Sequence, residues 1–422
     1  MEQNALLLAA LRAHLAAVPL EAETGPVAPE EWLRLFRLAQ EHHVLPMVYE
    51  AVRTLPAFQE SGQALIPGIR REVFQAVAAQ TQRTQQFLTV CQGLRAAGVK
   101  GVVVKGLHCR TLYPMPDHRV SMDEDVLVAP EQYEACHQAL AGLGLTPANP
   151  EEDREAAFEV TYVNASRTLC LEIHKSLFSE ESQAYGSLNR FFDGAMERAV
   201  ELEVQGQPVW SLCPHDHLLY LLCHAFKHFL HGGFGIRQVC DIGLYGQRYA
   251  DQVDWSRLYD QCREERMEQF AAALFAIGKQ QLGLRLALPT LWQERCASVN
   301  PGPMLADLLS GGVYGGADMS RKHSSNITLS AVSDQKVGKT GKGSLLRTVF
   351  LPRSAMAGKY PYLNRWPVLL PVAWGQRIFH YLRESREQGV SGAAAESIRL
   401  GRERVELLRQ YGILDGKDNS HD

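Results

Sequence analysis

The sequence predicts an α+β fold, a small mixed β-sheet set between helical N-terminal and C-terminal flanks, and three observations predict it. Residues 1 to about 97 carry helical spacing throughout. Residues 100–128, KGVVVKGLHCRTLYPMPDHRVSMDEDVLV, then read as strand, tight turn, helix, loop and strand. Two further strands at 158–163 and 168–174 follow before the helical period returns near Pro214.

In chain order, the opening segment MEQNALLLAALRAHLAAVPLEAE is an amphipathic helix rather than an export signal, because Glu2 comes first and Arg12 and His14 interrupt the apolar run. Pro29-Glu30-Glu31 starts the next helix, whose stripe is Trp32, Leu33, Leu35, Phe36 and Leu38, and His42 to Pro46 closes it. Residues 73–97 make a long helix, with Gly98 at the C′ position. Val102 to Val104 are consecutive and β-branched, as in a strand buried on both faces. Lys105-Gly106 breaks that run, and Leu107 to Tyr113 gives about two helical turns before Pro114 and Pro116.

The second strand opens as Asp123-Glu124-Asp125. Side chains alternate along a strand, so Asp123 and Asp125 share a face at its mouth. Two like charges so close are costly unless a cation lies between them. Residues 130–143 form a helix closed by Gly142 and Gly144. In the strand at 168–174, Leu169, Leu171 and Ile173 take one face, and Cys170, Glu172 and His174 the other. If this hairpin continues the sheet, Glu172 stands beside Asp123 and Asp125.

The domain organisation expected is a helical region at 1–97, an α/β core at 98–210, a helical domain at 211–300, a flexible excursion at 301–345 and a C-terminal helical segment at 346–422. The excursion is expected because its middle, about 311–343, is rich in Gly, Ser, Lys and Asn and has no period. A length of 422 residues exceeds one ordinary core. The composition, 46% hydrophobic and 21% charged with net charge −4, gives no general attraction to nucleic acid or anionic membrane. Nine scattered cysteines without a CxxC pair suit free thiols in a reducing cytoplasm. The apolar stretch from Trp366 to Trp374 holds two prolines and falls short of the roughly 20 residues that span a bilayer. No membrane partner is expected.

The order of a strand ending in Lys-Gly, a helix, a strand with DxD and a later strand with a third acid resembles the DNA-polymerase-β-like nucleotidyltransferase superfamily. VVVKGLHCRTLYPMPDHRVSMDEDVLV is more narrowly similar to the bacterial family of uncharacterised nucleotidyltransferases; LEIHKSLF, LLCHAFKHFL with RQVCDIGLY, and YPYLNRWPVLLPVAWGQR extend the likeness. The resemblance implies a nucleotidyltransferase core, Mg²⁺ (with Mn²⁺ as a substitute), an NTP such as ATP, and an acceptor that is a small molecule, a peptide or RNA. It implies that Asp123, Asp125 and Glu172 are the catalytic metal ligands. Lys105, Gly106 and Arg119 would meet the triphosphate, and His174 would stand behind the ligands. The wider superfamily has Gly-Ser at the turn; here Leu107 follows Gly106, so the serine's hydroxyl contact is missing. The alternatives are a degenerate member that binds a nucleotide or partner without transfer, and a glycosyltransferase metal site, which the preceding Lys-Gly turn fits less well. His224 and His228 have the i,i+4 spacing of two zinc ligands without the HExxH glutamate, and helix packing or phosphate contact is the expected role. Asp241 is expected to anchor a helix end.

Overall fold

The computed structural model describes residues 3–21, 27–151, 153–311, 319–337, 353, 356, 360, 362–376 and 393–415. The fold is α+β, with a seven-stranded mixed sheet. The chain divides into two compact units, one of Met1–Lys227 with Phe234–Tyr314 and one of His228–Gly233 with Gly315–Asp422.

The first unit begins with α1 (Gln3–Leu15), α2 (Pro29–Glu41), α3 (Leu45–Val52), α4 (Pro56–Ser61) and α5 (Ile66–Ala96). Helix α5 starts earlier than its sequence pattern suggests, because a proline in a first turn lacks only an N–H that would be unpaired anyway. It ends as expected at Gly98, whose φ is 73°. The Val99 N–H reaches back to Leu94 O at 2.9 Å, the six-to-one bond that closes a helix through a left-handed residue.

The sheet runs β3-β4-β5-β2-β1-β7-β6. Its strands are β1 (Val102–Val104), β2 (Glu124–Leu127), β3 (Leu145–Pro147), β4 (Glu159–Asn164), β5 (Cys170–His174), β6 (Val200–Val204) and β7 (Gln207–Ser211). Strand β2 is antiparallel to β1 and parallel to β5, and β1 is parallel to β7. The β6–β7 hairpin was not legible as strand in the sequence; Gln205 and Gly206 turn it with φ of 52° and 76°, the two positive values of a tight hairpin turn. Phe87, Leu88 and Leu94 of α5, with Cys136 and Leu140 of α7 (Tyr133–Gly142), pack on Val103, Val126, Val160, Leu171 and Ile173. That apolar layer fills one face of the sheet, leaving the alternate residues of β2 and β5 for the other.

Between β1 and β2, helix α6 spans only Gly106–Arg110. Thr111, Leu112 and Tyr113, expected to be helical, instead bond back three residues to His108, Cys109 and Arg110 carbonyls at 3.1–3.2 Å, a tightening turn ahead of the prolines. After the short α8 (Ala195–Arg198) and the hairpin come α9 (Pro214–His231), α10 (Ile236–Arg248), α11 (Trp255–Glu264), α12 (Glu268–Gln280), α13 (Thr290–Ser298) and α14 (Gly302–Gly311). Among the described residues no helix is long and apolar enough to cross a membrane.

Residues 301–345, expected as a flexible excursion, fall across the two units. Within that stretch, α14 reaches Gly311 and α15 is helical over Met319–Lys336; residues 312–318 and 338–345 lie outside the described ones. The apolar content of α15 is too sparse to show a period, and its partner lies some way along the chain. Ile327 and Val332 are buried, and Gly401 on the last helix (Ala393–Gln410) leaves room that a β-carbon would deny the Ile327 side chain. Met356, Tyr360, Leu363 and Ala373 form a separate small apolar cluster.

Candidate active site on the open face of the sheet

The pairing of β2 with β5 sets the site. Asp125 is the register partner of Glu172, and Leu127 that of His174. Side chains two apart on one strand and level across two strands converge on one face. Asp125, Glu172 and His174 therefore each offer an atom within 4.8 Å of the others. His174 Nε2 is 3.1 Å from Asp125 Oδ1 and 3.8 Å from Glu172 Oε2, and its Nδ1 is 3.4 Å from Glu159 Oε2. His174 is thus an immediate neighbour of both carboxylates. Asp123, one residue ahead of β2, joins from the mouth of the strand.

Lys105 closes this group from β1. Its Nζ is 3.0 Å from Asp125 Oδ2, 3.9 Å from Asp123 Oδ2 and 3.3 Å from His224 Nε2 of α9. Burial opposes the ammonium's charge, but Asp125 and then Asp123 hold its pKa well above the ordinary value. Burial likewise disfavours the Asp125 carboxylate, yet Lys105 and the His174 hydrogen bond keep its pKa below the ordinary value. Glu172 goes the other way. Burial, then the charges of Asp125, Asp123 and Glu159, push it up to about 9. One ammonium does not compensate this many carboxylates, and the excess is carried as a proton on Glu172.

The backbone at Lys105 explains how the ammonium is aimed. Its φ of 50° and ψ of −121° lie where side chains other than glycine are strained, by about 1–3 kcal/mol. Gly106 follows with φ 23°, and a β-carbon there would collide with the Glu124 carboxylate, so the position admits only glycine. The Lys105 N–H donates to His217 Nε2 at 3.1 Å. His217 Nδ1 lies 3.0 Å from His108 Nδ1 and 3.1 Å from Ser211 Oγ, and His108 Nε2 lies 3.0 Å from Tyr249 OH. Burial lowers the pKa of both imidazoles, His108 to about 3 and His217 well below its ordinary value. Since His217 Nε2 accepts, its Nδ1 carries the proton. A neutral relay from Tyr249 through His108 and His217 thus fixes the strained turn.

Arg119 lies on the wall of the same cleft, paired with an acid of α10. Its guanidinium sits on Asp241 at 3.1 and 2.7 Å, and the Tyr113 hydroxyl donates to Asp241 Oδ1 at 2.7 Å. Burial opposes the charge on Arg119, and Asp241 restores it, holding the pKa well above its ordinary value. Asp241 stands in the middle of α10 rather than at a helix end, and it ties that helix to the loop before β2. Gly106, Ser121, His224 and Arg237 complete the lining with Lys105, Asp123 and Asp125.

Beneath the site, on the sheet's core side, Glu124 is fully buried against Arg110. Arg110 also donates to Thr84 Oγ1 and Ser121 Oγ, both at 2.9 Å. Neither this pair nor the His108–His217 relay was legible in the sequence, since the partners come from separate elements. The one available signal was a charged residue, Glu124, on the same strand face as the apolar Val126.

A family model described as "Uncharacterised nucleotidyltransferase" matches residues 28–283. That span holds the whole sheet and every candidate site residue. No curated protein matches the chain.

Proposed function

We propose, from the premise that the chain belongs to this family of uncharacterised nucleotidyltransferases, that it transfers a nucleotidyl group from an NTP to an acceptor hydroxyl with release of pyrophosphate, in a Mg²⁺-dependent reaction. The observation that carries the reading is the level pairing of Asp125 with Glu172 across parallel strands, with Asp123 and Lys105 at the same mouth.

The donor set suits a hard divalent ion. Carboxylate oxygens of Asp123, Asp125 and Glu172 are the ligands Mg²⁺ prefers, and a surplus of negative charge that leaves Glu172 protonated is one a cation would relieve. His174 keeps Asp125 oriented through Oδ1. When bound, such an ion stabilises charge on the attacking and leaving oxygens. The chain's own groups do the rest. Lys105 and the cleft wall orient and neutralise the triphosphate. The acceptor oxygen forms its bond to the α-phosphorus, the bond to the pyrophosphate oxygen breaks, and the acceptor proton passes to a carboxylate of the cluster or to water. Pyrophosphate leaves. Gly106 allows the backbone to approach closely, in place of the missing serine contact.

The test is incubation of the pure protein with each NTP labelled at the α-phosphate, Mg²⁺ and a cell extract. Transfer of label to an acceptor together with pyrophosphate release is expected. Binding of NTP without pyrophosphate release in any extract would leave a nucleotide-binding protein instead.

A further inference from the structure

Two groups in the cleft carry positive charge in different ways. Arg119 is matched to Asp241 by two hydrogen bonds and held there by the Tyr113 hydroxyl on the same carboxylate. Lys105 instead spans two of the three residues that the proposed function assigns to a divalent ion, 3.0 Å from Asp125 and 3.9 Å from Asp123. Its main chain is pinned by the His217 bond in a conformation that few residues accept, independently of the ammonium's own contacts with Asp125, Asp123 and His224. A four-carbon stem with a single ammonium can swing without disturbing the turn.

We propose that the Lys105 ammonium is a stand-in cation: it neutralises Asp123 and Asp125 while the site lacks a metal, a divalent ion displaces it, and the displaced ammonium is taken up by the nucleotide's phosphates. The inference rests on the proposed function's assignment of these carboxylates as metal ligands. It adds an exchange that the assignment alone does not contain. A divalent ion arriving alone must evict an ammonium that then has no carboxylate to face. An ion arriving with a triphosphate supplies the ammonium's new partner in the same event. Metal and nucleotide therefore bind cooperatively, and Lys105 is the residue that couples them.

The exchange gives opposite signs in two binding measurements, which a merely structural lysine does not. Lys105→Met should bind Mn²⁺, used as the probe and measured by titration calorimetry without nucleotide, on the order of tenfold or more tightly than the wild type, because a competing charge within about 4 Å is gone. The same variant should bind α,β-methylene-ATP with Mn²⁺ on the order of tenfold more weakly. Lys105→Arg keeps the charge and should retain weak metal binding without nucleotide. Should methionine beside Asp125 prevent folding, Lys105→Gln gives the same comparison with a polar side chain. Mn²⁺ affinity unchanged or reduced in the charge-free variants overturns the exchange and leaves the metal site standing. Absence of Mn²⁺ binding in wild type and variants alike, with or without the analogue, overturns both.

Discussion

Asp125 and Glu124 are consecutive residues of one strand and show two ways of burying a carboxylate. Glu124 faces the core side, fully buried, with Arg110 as its own counter-charge and Ser121 and Thr84 accepting from the same guanidinium. Asp125 is as deeply buried, but it shares one ammonium with Asp123 and stands level with a Glu172 that retains a proton. The core side is closed in charge. The cleft side is not, and it is the unbalanced side that has a use for a ligand. Burial of an acid is therefore no guide to function here; the completeness of its partners is.

The sharpest way to break the comparison is to neutralise one acid on each side. Asp125→Asn should lower Mg²⁺-dependent transfer by roughly a thousandfold or more, since several kcal/mol of charge stabilisation are removed, and it should also lower thermal stability, because Lys105 loses its nearest counter-charge. Asp123→Asn and Glu172→Gln should behave alike, each a little less severely. Full activity in Asp125→Asn would remove the assignment. On the core side the effect is on stability alone. Glu124→Gln strands the Arg110 guanidinium in the interior and should cost about 3–5 kcal/mol in denaturant unfolding. A loss of activity in that variant should track the unfolded fraction. An unchanged midpoint would mean that Arg110 finds another partner.

These two sides were unequally legible in the sequence. Alternation alone placed Asp123 and Asp125 on one face, and the third acid of the strand at 170–174 could be phased the same way, because strand periodicity is local. The register that levels Asp125 with Glu172 depends on a parallel pairing across 47 residues, which the resemblance implied and periodicity did not. The His108–His217 relay and the Arg119–Asp241 clamp each join elements more than a hundred residues apart, and the Glu124–Arg110 pair joins two successive elements across a loop whose path periodicity does not give, so no local pattern announced them. Helix α15 was missed for the same reason: its stabilising partner, not its own pattern, makes it a helix.

A smaller effect separates a clamp from a ligand within the cleft itself. Tyr113→Phe removes one hydrogen bond to the buried Asp241 carboxylate and should cost about 1.5–3 kcal/mol of stability. Because Arg119 keeps its two bonds to Asp241, affinity for Mn²⁺ should not move. A change in metal affinity with stability unaltered would place Arg119 and Asp241 among the groups that sense the ion.

The last test asks whether the His108–His217 relay behind the Lys105 turn is as intolerant of charge as its burial implies. His108 and His217 are held neutral there, His108 with its pKa lowered to about 3 by burial and His217 lowered well below its ordinary value by burial and then by His108. In the unfolded chain both titrate near 6.5. Between that value and the folded one, the unfolded state binds more protons, so stability is complete above pH 6.5 and declines as pH falls toward about 3. Each neutral histidine adds about 1.4 kcal/mol to that decline for every pH unit crossed. Other buried histidines, His14 and His42 at about 4, contribute to the same acid limb, so the total slope does not single out the relay. The difference between variants does. His108→Asn, folded and measured by urea unfolding from pH 7 to pH 4, should show a slope shallower by about 1.4 kcal/mol per unit. An unchanged slope in His108→Asn would mean that His108 takes up a proton in the folded protein, and that the relay is not held neutral.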